Sequence, residues 1–467
     1  MSSANRPSSI HELRNIWLCP LHEEAVRPEF CDLFIADGKI AEIRPSDYRR
    51  YLQNHDPGSD SSRFAADPGR RYAEYVDAAG RVATPPMVNF HEHLYSRLAK
   101  GLALPGPMQD FRNILKNLWW QLDEALDAEM VDACARLGAM EALRSGVGYL
   151  FDHHSSPNFI EGSLDALGGI LSEAGLRAVL CLETSDRHSR AVTDACLEEQ
   201  RRFIRRSATG NLRGLVGLHA PFTLSDQTLE RAAALCRELE VGIHIHLAED
   251  RHEQRYSRNT FGCTAAVRLQ RAGLLEYPGI LAHGVHLQGE DWKALGKGRC
   301  ALVMNPDSNL NNAVGLGRYT EIPNPIVLLA GTDGMHASPS RSIKQLFLLH
   351  RHQGGEIAES FAFIRKLYLD QVRFLRTFFP DYPDLKPGDR ADLVIWDYRP
   401  PSPFTGETFW GHLIYGILET TAWTVCMQGR ALLAGYGLRS LDCESTARLA
   451  ARQGARLFEK LGVHHHG

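Results

Sequence analysis

The chain has 467 residues, 44% of them hydrophobic and 23% charged, with a formal net charge of −4. That length exceeds a usual single domain and supplies apolar material for a deep core, which excludes disordered and fibrous classes. No run of Lys or Arg forms a phosphate-binding stripe and no apolar span approaches the ~20 residues a bilayer requires, so neither a nucleic-acid partner nor a membrane is expected.

The first residues, "MSSANRPSSIHELRN", lack the apolar segment of an export signal. Ten cysteines lie scattered without a C-x-x-C pair, as reduced, buried thiols of a cytoplasmic protein would. Short strands come first, and in "CDLFIADGKIAEIRP" the Asp37-Gly38 pair between two apolar runs predicts a hairpin. Residues 46–74, rich in Asp, Arg, Ser, Pro and Gly, read as a long loop. Strand-like alternation returns in "KPGDRADLVIWDYRP" and "AWTVCMQGRALLAG". Both ends, residues 1–83 and 385–440, therefore read as β-rich around a middle of a different kind, residues 84–384. Residues 441–467 read as a helix and tail, whose "VHHHG" end resembles a tag and is left out of the chemistry.

The middle alternates apolar strands with helices. The strands are "RVATPPMVNF", "GVGYLFD", "LRAVLCLE", "RGLVGLH", "EVGIHIH", "GILAHG", "CALVMNP" and "IVLLAGTD". Eight of them predict an α/β fold, a (β/α)8 TIM-like barrel, with a doubly wound open sheet as the alternative. Ser225 is placed to cap a helix carrying Leu229, Ala232, Ala233 and Cys236 at helical spacing. Leu126, Met130, Val131, Cys134, Leu137 and Met140 draw a second apolar stripe that ends near Gly146.

His91 and His93 in "NFHEHL" lie two apart on a strand and so share a face, while Glu92 points away. With 21 histidines in the chain, such a pair is weak alone. The other proposed strands, however, end in Asp152-His153-His154, Glu183, His219, His246, His283, Asn305 and Asp333. In a barrel these ends converge on one face, where active sites form. Imidazole and carboxylate suit one divalent ion, Zn²⁺ first, with Fe²⁺ or Mn²⁺ as alternatives. His91, His93, His246 and Asp333 would hold it and leave a position free for water, whose pKa the ion lowers to roughly 7. Glu249, three residues past His246, is the proton carrier. His283 and Asp333 would hydrogen-bond that water, and His244 is either a support for a ligand or an interior histidine. No lysine ends the fourth strand, which disfavours a carbamylated-lysine bridge between two metals.

These residues resemble the amidohydrolase superfamily, in its mononuclear deaminase branch. "PPMVNFHEHL", "HLAE", "LAHG", "NPDSNL" and "GTDG" are similar to its successive motifs, and "KPGDRADLVIWD" to the closing strand of the small β-sandwich that the family builds from both chain ends, which implies one composite β-sandwich from residues 1–83 and 385–440, so the resemblance spans nearly the whole chain. "NFHEHLYSRLAKGL", "LWWQLDEAL", "FDHHSSP", "HAPFTLSD" and "NLNNAVG" are closer still to the SsnA-type aminohydrolases. The resemblance implies His91, His93, His246 and Asp333 as ligands, Glu249 and His283 acting on the water, and His219 and Asn309 touching substrate. His153, His154 and Trp119, next to Trp120, are pocket candidates outside the general metal motif. Pro86 stands where the family has Gly, which alters the approach to the first strand. The implied activity is deamination of a purine-, pterin- or pyrimidine-like nitrogen heterocycle, as in purine catabolism, by a homodimer. Ring-amide opening, or a catalytically silent metal-binding subunit of a redox assembly, are the competing readings.

Overall fold

A computed structural model describes residues 8–54 and 75–463. Its centre is a set of parallel strands buried along their length, as strands covered by helices on one side and filled by side chains on the other must be. Met87–Glu92, Val147–His154, Arg177–Leu182 and Leu212–Gly214 pair in that order. Val216–Leu218, Ile243–Leu247, Ile280–His283, Ala301–Met304 and Leu328–Ala330 form a second run. Leu212–Gly214 and Val216–Leu218 are halves of one strand interrupted at Leu215. Parallel bridges Thr184↔Leu218 and Glu92↔Asp333 join the two runs at both seams. At the second seam the Thr332 and Asp333 N–H groups both donate to the His91 carbonyl, at 2.9 and 3.0 Å. The eight strands thus meet around a TIM-type barrel.

The helices follow their local signals with shifts that capping explains. Ser225 caps Asp226–Leu239, its side chain accepting from the Thr228 N–H, and the helix stops at Glu240 in the left-handed region. The stripe that starts at Leu126 becomes the helix Ala128–Arg144, because Asp127 accepts from the Met130 N–H and begins it there. Leu126 instead closes the preceding helix, Trp120–Ala125.

Both chain ends share one ten-stranded sheet. Val82–Thr84 is the joint: it pairs in parallel with Glu12–Leu18 and antiparallel with Leu393–Trp396. Asp37 and Gly38, at φ 50° and 73°, turn the hairpin between Glu29–Ala36 and Lys39–Pro45, as an Asp-Gly pair does. A Cβ on Gly38 would lie 3.0 Å from the Gln428 carbonyl oxygen, so strands from opposite edges of the sheet approach each other. The composite sandwich is this one sheet curled around Leu13, Ile16, Leu33, Leu393, Ile395 and Cys426.

Two expectations change. "RVATPPMVNF" is not one strand: Pro85-Pro86 ends Val82–Thr84 in the sheet, and Met87 begins the barrel, with the Tyr382 hydroxyl donating to the Pro86 carbonyl at 2.8 Å. The stretch read as a loop from Ser46 holds a helix, Tyr48–Asn54, because Asp47 accepts from the Arg49 and Arg50 N–H groups. The rest of that stretch and the terminal histidines lie outside the described residues. Among the described residues no helix is long and apolar enough to cross a membrane.

Candidate active site

His91 lies in the first barrel strand and His93 one residue beyond it; His246 is in the fifth strand and Asp333 three residues past the eighth. Their donor atoms fall within 4.8 Å of one another. Asp333 Oδ1 is 2.8 Å from His93 Nε2 and 3.4 Å from His91 Nε2. His93 Nδ1 lies 2.6 Å from the His153 carbonyl oxygen and His246 Nδ1 2.8 Å from that of His219. A carbonyl only accepts, so both Nδ1 atoms carry protons, and in the neutral rings the two Nε2 lone pairs face each other at 3.2 Å. His244 Nε2 holds His91 Nδ1 at 2.8 Å, while His91 Nε2 is buried with no hydrogen-bond partner.

Such lone pairs and a carboxylate rest together only around positive charge. Burial pushes His91 down to about 3 and His246 well below its ordinary range. Burial opposes charge on His93 too, yet the Asp333 carboxylate outweighs it and drives His93 up to about 9, which marks the cluster as a place that favours positive charge. A divalent ion would supply that charge, and the buried His91 Nε2, without a hydrogen-bond partner, would give it a further ligand. Three imidazoles and one carboxylate fit such an ion.

Three strand ends bend sharply to present these groups. Ala248, His283 and Asp333 adopt left-handed φ values of 51°, 80° and 54°, uncommon for residues with a Cβ. The bend at Ala248 brings Glu249 over the cluster as a lining residue of the cleft. Glu249 Oε1 accepts from Asn312 Nδ2 at 3.3 Å, and Oε2 lies 3.6 Å from His283 Nε2. Burial pushes the Glu249 carboxyl up to about 7, where it both accepts and returns a proton at neutral pH. His283 Nδ1 donates to Asn309 Oδ1 at 2.8 Å, which leaves its Nε2 free toward Glu249.

The opposite wall carries a second ionic group. Asp123 accepts from Ser155 Oγ at 2.8 Å and Arg187 Nη2 at 2.6 Å, and Arg187 lies over the Trp120 ring. Asp123 Oδ1 is buried without a partner. Glu183 sits 3.5 Å from His153 Nδ1 and 3.6 Å from His219 Nε2. The roof is the helical segment Phe111–Ala125, which includes a π turn at Leu115–Trp119. It docks through Phe111 and Leu115 on Val285 and Val314, a small apolar cluster apart from the main core.

Residues 82–421 match the amidohydrolase family. The chain belongs to that family. With it comes the class of activity, hydrolysis of a carbon–nitrogen bond. A 5-methylthioadenosine/S-adenosylhomocysteine deaminase of Desulforudis audaxviator is 27% identical over 442 residues, covering 92% of this chain and 95% of the relative. Among solved structures, an adenosine deaminase from Xanthomonas campestris with bound zinc superposes with a TM-score of 0.79 at 20% identity, covering 97% of this chain and all of the other. Atrazine chlorohydrolase from Arthrobacter aurescens with zinc gives 0.74 at 18%, covering 96% and 100%. At these identities the two structures speak to the fold alone.

In this amidohydrolase the structure brings His91, His93, His246, Asp333, Glu249 and His283 together, and places His219 and Trp119 on the cleft wall. His153 and His154 are fully buried behind it: His153 Nε2 donates to the Leu218 and His244 carbonyls, and His154 Nε2 pairs with Ser156 Oγ. Asn309 holds His283 and does not line the cleft. Glu92 points away from it, onto Arg97. Sequence reasoning passed over Asn312 and the Asp123–Arg187 pair. Asn312 and Asp123 lie inside quoted stretches, but nothing in their spacing distinguishes them from helix-surface residues.

Proposed function

We propose that this amidohydrolase is an aminohydrolase that removes an exocyclic amino group from a purine-type heterocycle, nucleosides included, at one divalent ion, zinc foremost. The observation that carries the reading is the Glu249 carboxyl, raised to about 7, beside the convergent lone pairs of His91, His93 and His246 and the Asp333 carboxylate. The relative named for deamination of adenosine derivatives supports the reaction and the ring, and the zinc in the Xanthomonas structure supports the ion. Ten free cysteines, nine of them buried, support a reducing, cytoplasmic setting.

His91, His93, His246 and Asp333 would hold the ion, which when bound supplies an acidified water as nucleophile. Glu249 would carry one proton from the attacking water to the ring nitrogen beside the attacked carbon, and a second from the newly added hydroxyl to the amino group, so that the carbonyl forms as the carbon–nitrogen bond breaks and ammonia departs. His283, its tautomer fixed by Asn309, keeps Glu249 and the nucleophile in register. Trp119 and Trp120 wall the ring side of the cleft, and the free Asp123 Oδ1 accepts from a hydroxyl on the ring substituent. Ammonia release from purine nucleosides, purine bases, pterins and pyrimidines, screened on protein of known metal content, tests this. Release from an adenosine-type substrate is the expected result; a ring-opened product with no ammonia, or no turnover of any of them by metal-replete protein, overturns it.

A further inference from the structure

Behind the ligand cluster, on the side of the first barrel strand turned from the cleft, lies an ion pair that takes no part in the reaction. Glu92 and Arg97 are 0% and 1% exposed, and Arg97 Nη2 is 2.5 Å from Glu92 Oε2. Arg97 belongs to the 3₁₀ turn Leu94–Ala99 that starts directly after His93. Its Nη2 also reaches the His336 carbonyl at 3.4 Å, and its Nε lies 3.6 Å from Glu141. In the same turn Ser96 Oγ is 2.8 Å from the His93 carbonyl and 3.0 Å from that of Gly334. Asp152 Oδ1 accepts from the Leu94 N–H at 2.8 Å. His336 and Gly334 lie in the loop that carries Asp333, and the Glu92 backbone bridges to Asp333 itself. These contacts therefore span the seam between the first and eighth strands, with two ligand histidines on one side and the ligand carboxylate on the other.

Stability alone is a poor reason for such a pair, because taking two charges out of water costs more than packing apolar side chains of the same size. We propose that Glu92 and Arg97 are positioning residues for the metal centre, a clamp that fixes the distance between the His91/His93 segment and Asp333 and so sets metal affinity. The proposal rests on the metal-centre reading above. Partners that orient ligands from behind typically change metal affinity by about 10–100-fold when lost.

The test measures zinc affinity by competition with a chromogenic chelator, alongside the melting temperature of the metal-free protein, for wild type, Glu92→Gln and the double variant Glu92→Leu/Arg97→Met. Glu92→Gln should bind zinc about tenfold or more weakly. The double variant removes both charges and should recover metal-free stability while affinity stays low. Affinity within twofold of wild type in Glu92→Gln, or affinity returning together with stability in the double variant, overturns the clamp and leaves the metal centre standing. A wild-type protein that takes up no zinc overturns the metal centre and the clamp with it. Should the Glu92 variants not fold, Ser96→Ala carries the same measurement: several-fold weaker zinc binding is expected, and unchanged binding refutes the clamp.

Discussion

The roles proposed for Glu249, as proton carrier, and for His246, as metal ligand, are separable by substitution. Glu249→Gln keeps the shape of the side chain and all four ligands, so metal content should stay at one per chain while turnover falls about 10²–10⁴-fold; elemental analysis with an ammonia assay checks both, and normal turnover would rule out its role. His246→Ala removes one imidazole from a cluster of four donors, and stoichiometric metal should be lost on desalting; retention of a tightly held ion would remove His246 from the ligand set. A third expectation concerns Glu253, buried below Glu249 and accepting from the Ala248 N–H at 2.8 Å. Burial pushes its carboxyl from an ordinary 4.5 up to about 8. Across that window the folded chain keeps a proton that the unfolded chain has released, so this group's contribution to stability is present below the window and lost as pH rises through it. Glu253→Gln should therefore show a smaller fall in melting temperature from pH 5 to pH 8 than wild type, and parallel profiles would contradict the assignment. The positions proposed as ligands were legible because alternation along a strand fixes which side chains share a face. His153, His154 and Asn309 read as pocket residues, but the Nε2 atoms of the two histidines are taken by the Leu218 and His244 carbonyls and by Ser156, and the Asn309 amide oxygen by His283, neighbours that only the folded chain supplies.

At the scale of elements, the roof segment Phe111–Ala125 joins the main core through Leu122 but rests at its start on a small separate cluster, Phe111 and Leu115 against Val285 and Val314. Its π turn inserts an extra residue into the helical repeat, a feature that recurs at functional sites, and both tryptophans line the cleft around it. The segment sits close to the loop bearing Asp333: a Cβ on Gly334 would come within 2.5 Å of the Trp119 ring. Gly334→Ala should push Trp119 outward and raise KM several-fold while metal content holds; unchanged KM would show that Trp119 does not touch substrate. The tryptophan pair was visible in the sequence, whereas the π turn was not, because the same apolar spacing is compatible with an ordinary helix. The divided strands were equally hidden. Nothing marks Leu215 as an interruption within "RGLVGLH", and in "RVATPPMVNF" the two prolines hand the chain from one sheet to another, which shows only once both sheets exist.

For the whole molecule, the eight-strand rhythm and the β-rich ends were readable, since each is a repeated local pattern. How the ends join was not, because Val82–Thr84 meets Leu393–Trp396 across some 300 residues of chain. That joint is locked by the Trp396 indole donating to Thr84 Oγ1 and tied to the barrel by the Tyr149 hydroxyl donating to Asp392, both bonds buried. Calorimetry should accordingly show barrel and sheet melting in a single transition, and chelation should lower its midpoint by roughly 5 °C, as loss of a ligand bound only by the native state requires; a midpoint indifferent to chelator would speak against a structural share for the ion. The seam between the first and eighth strands has one more consequence, which concerns the order of assembly. Asn89 donates to Thr332 across 243 residues, so on the ribosome the histidines of the first strand emerge long before the aspartate that must join them. Chains stalled before the eighth strand should hold only a partial, weak ligand set. Tight capture of an ion is then expected only after the eighth strand has joined the first, and ribosome-bound fragments ending short of Asp333 should exchange radioactive zinc freely while the released protein does not.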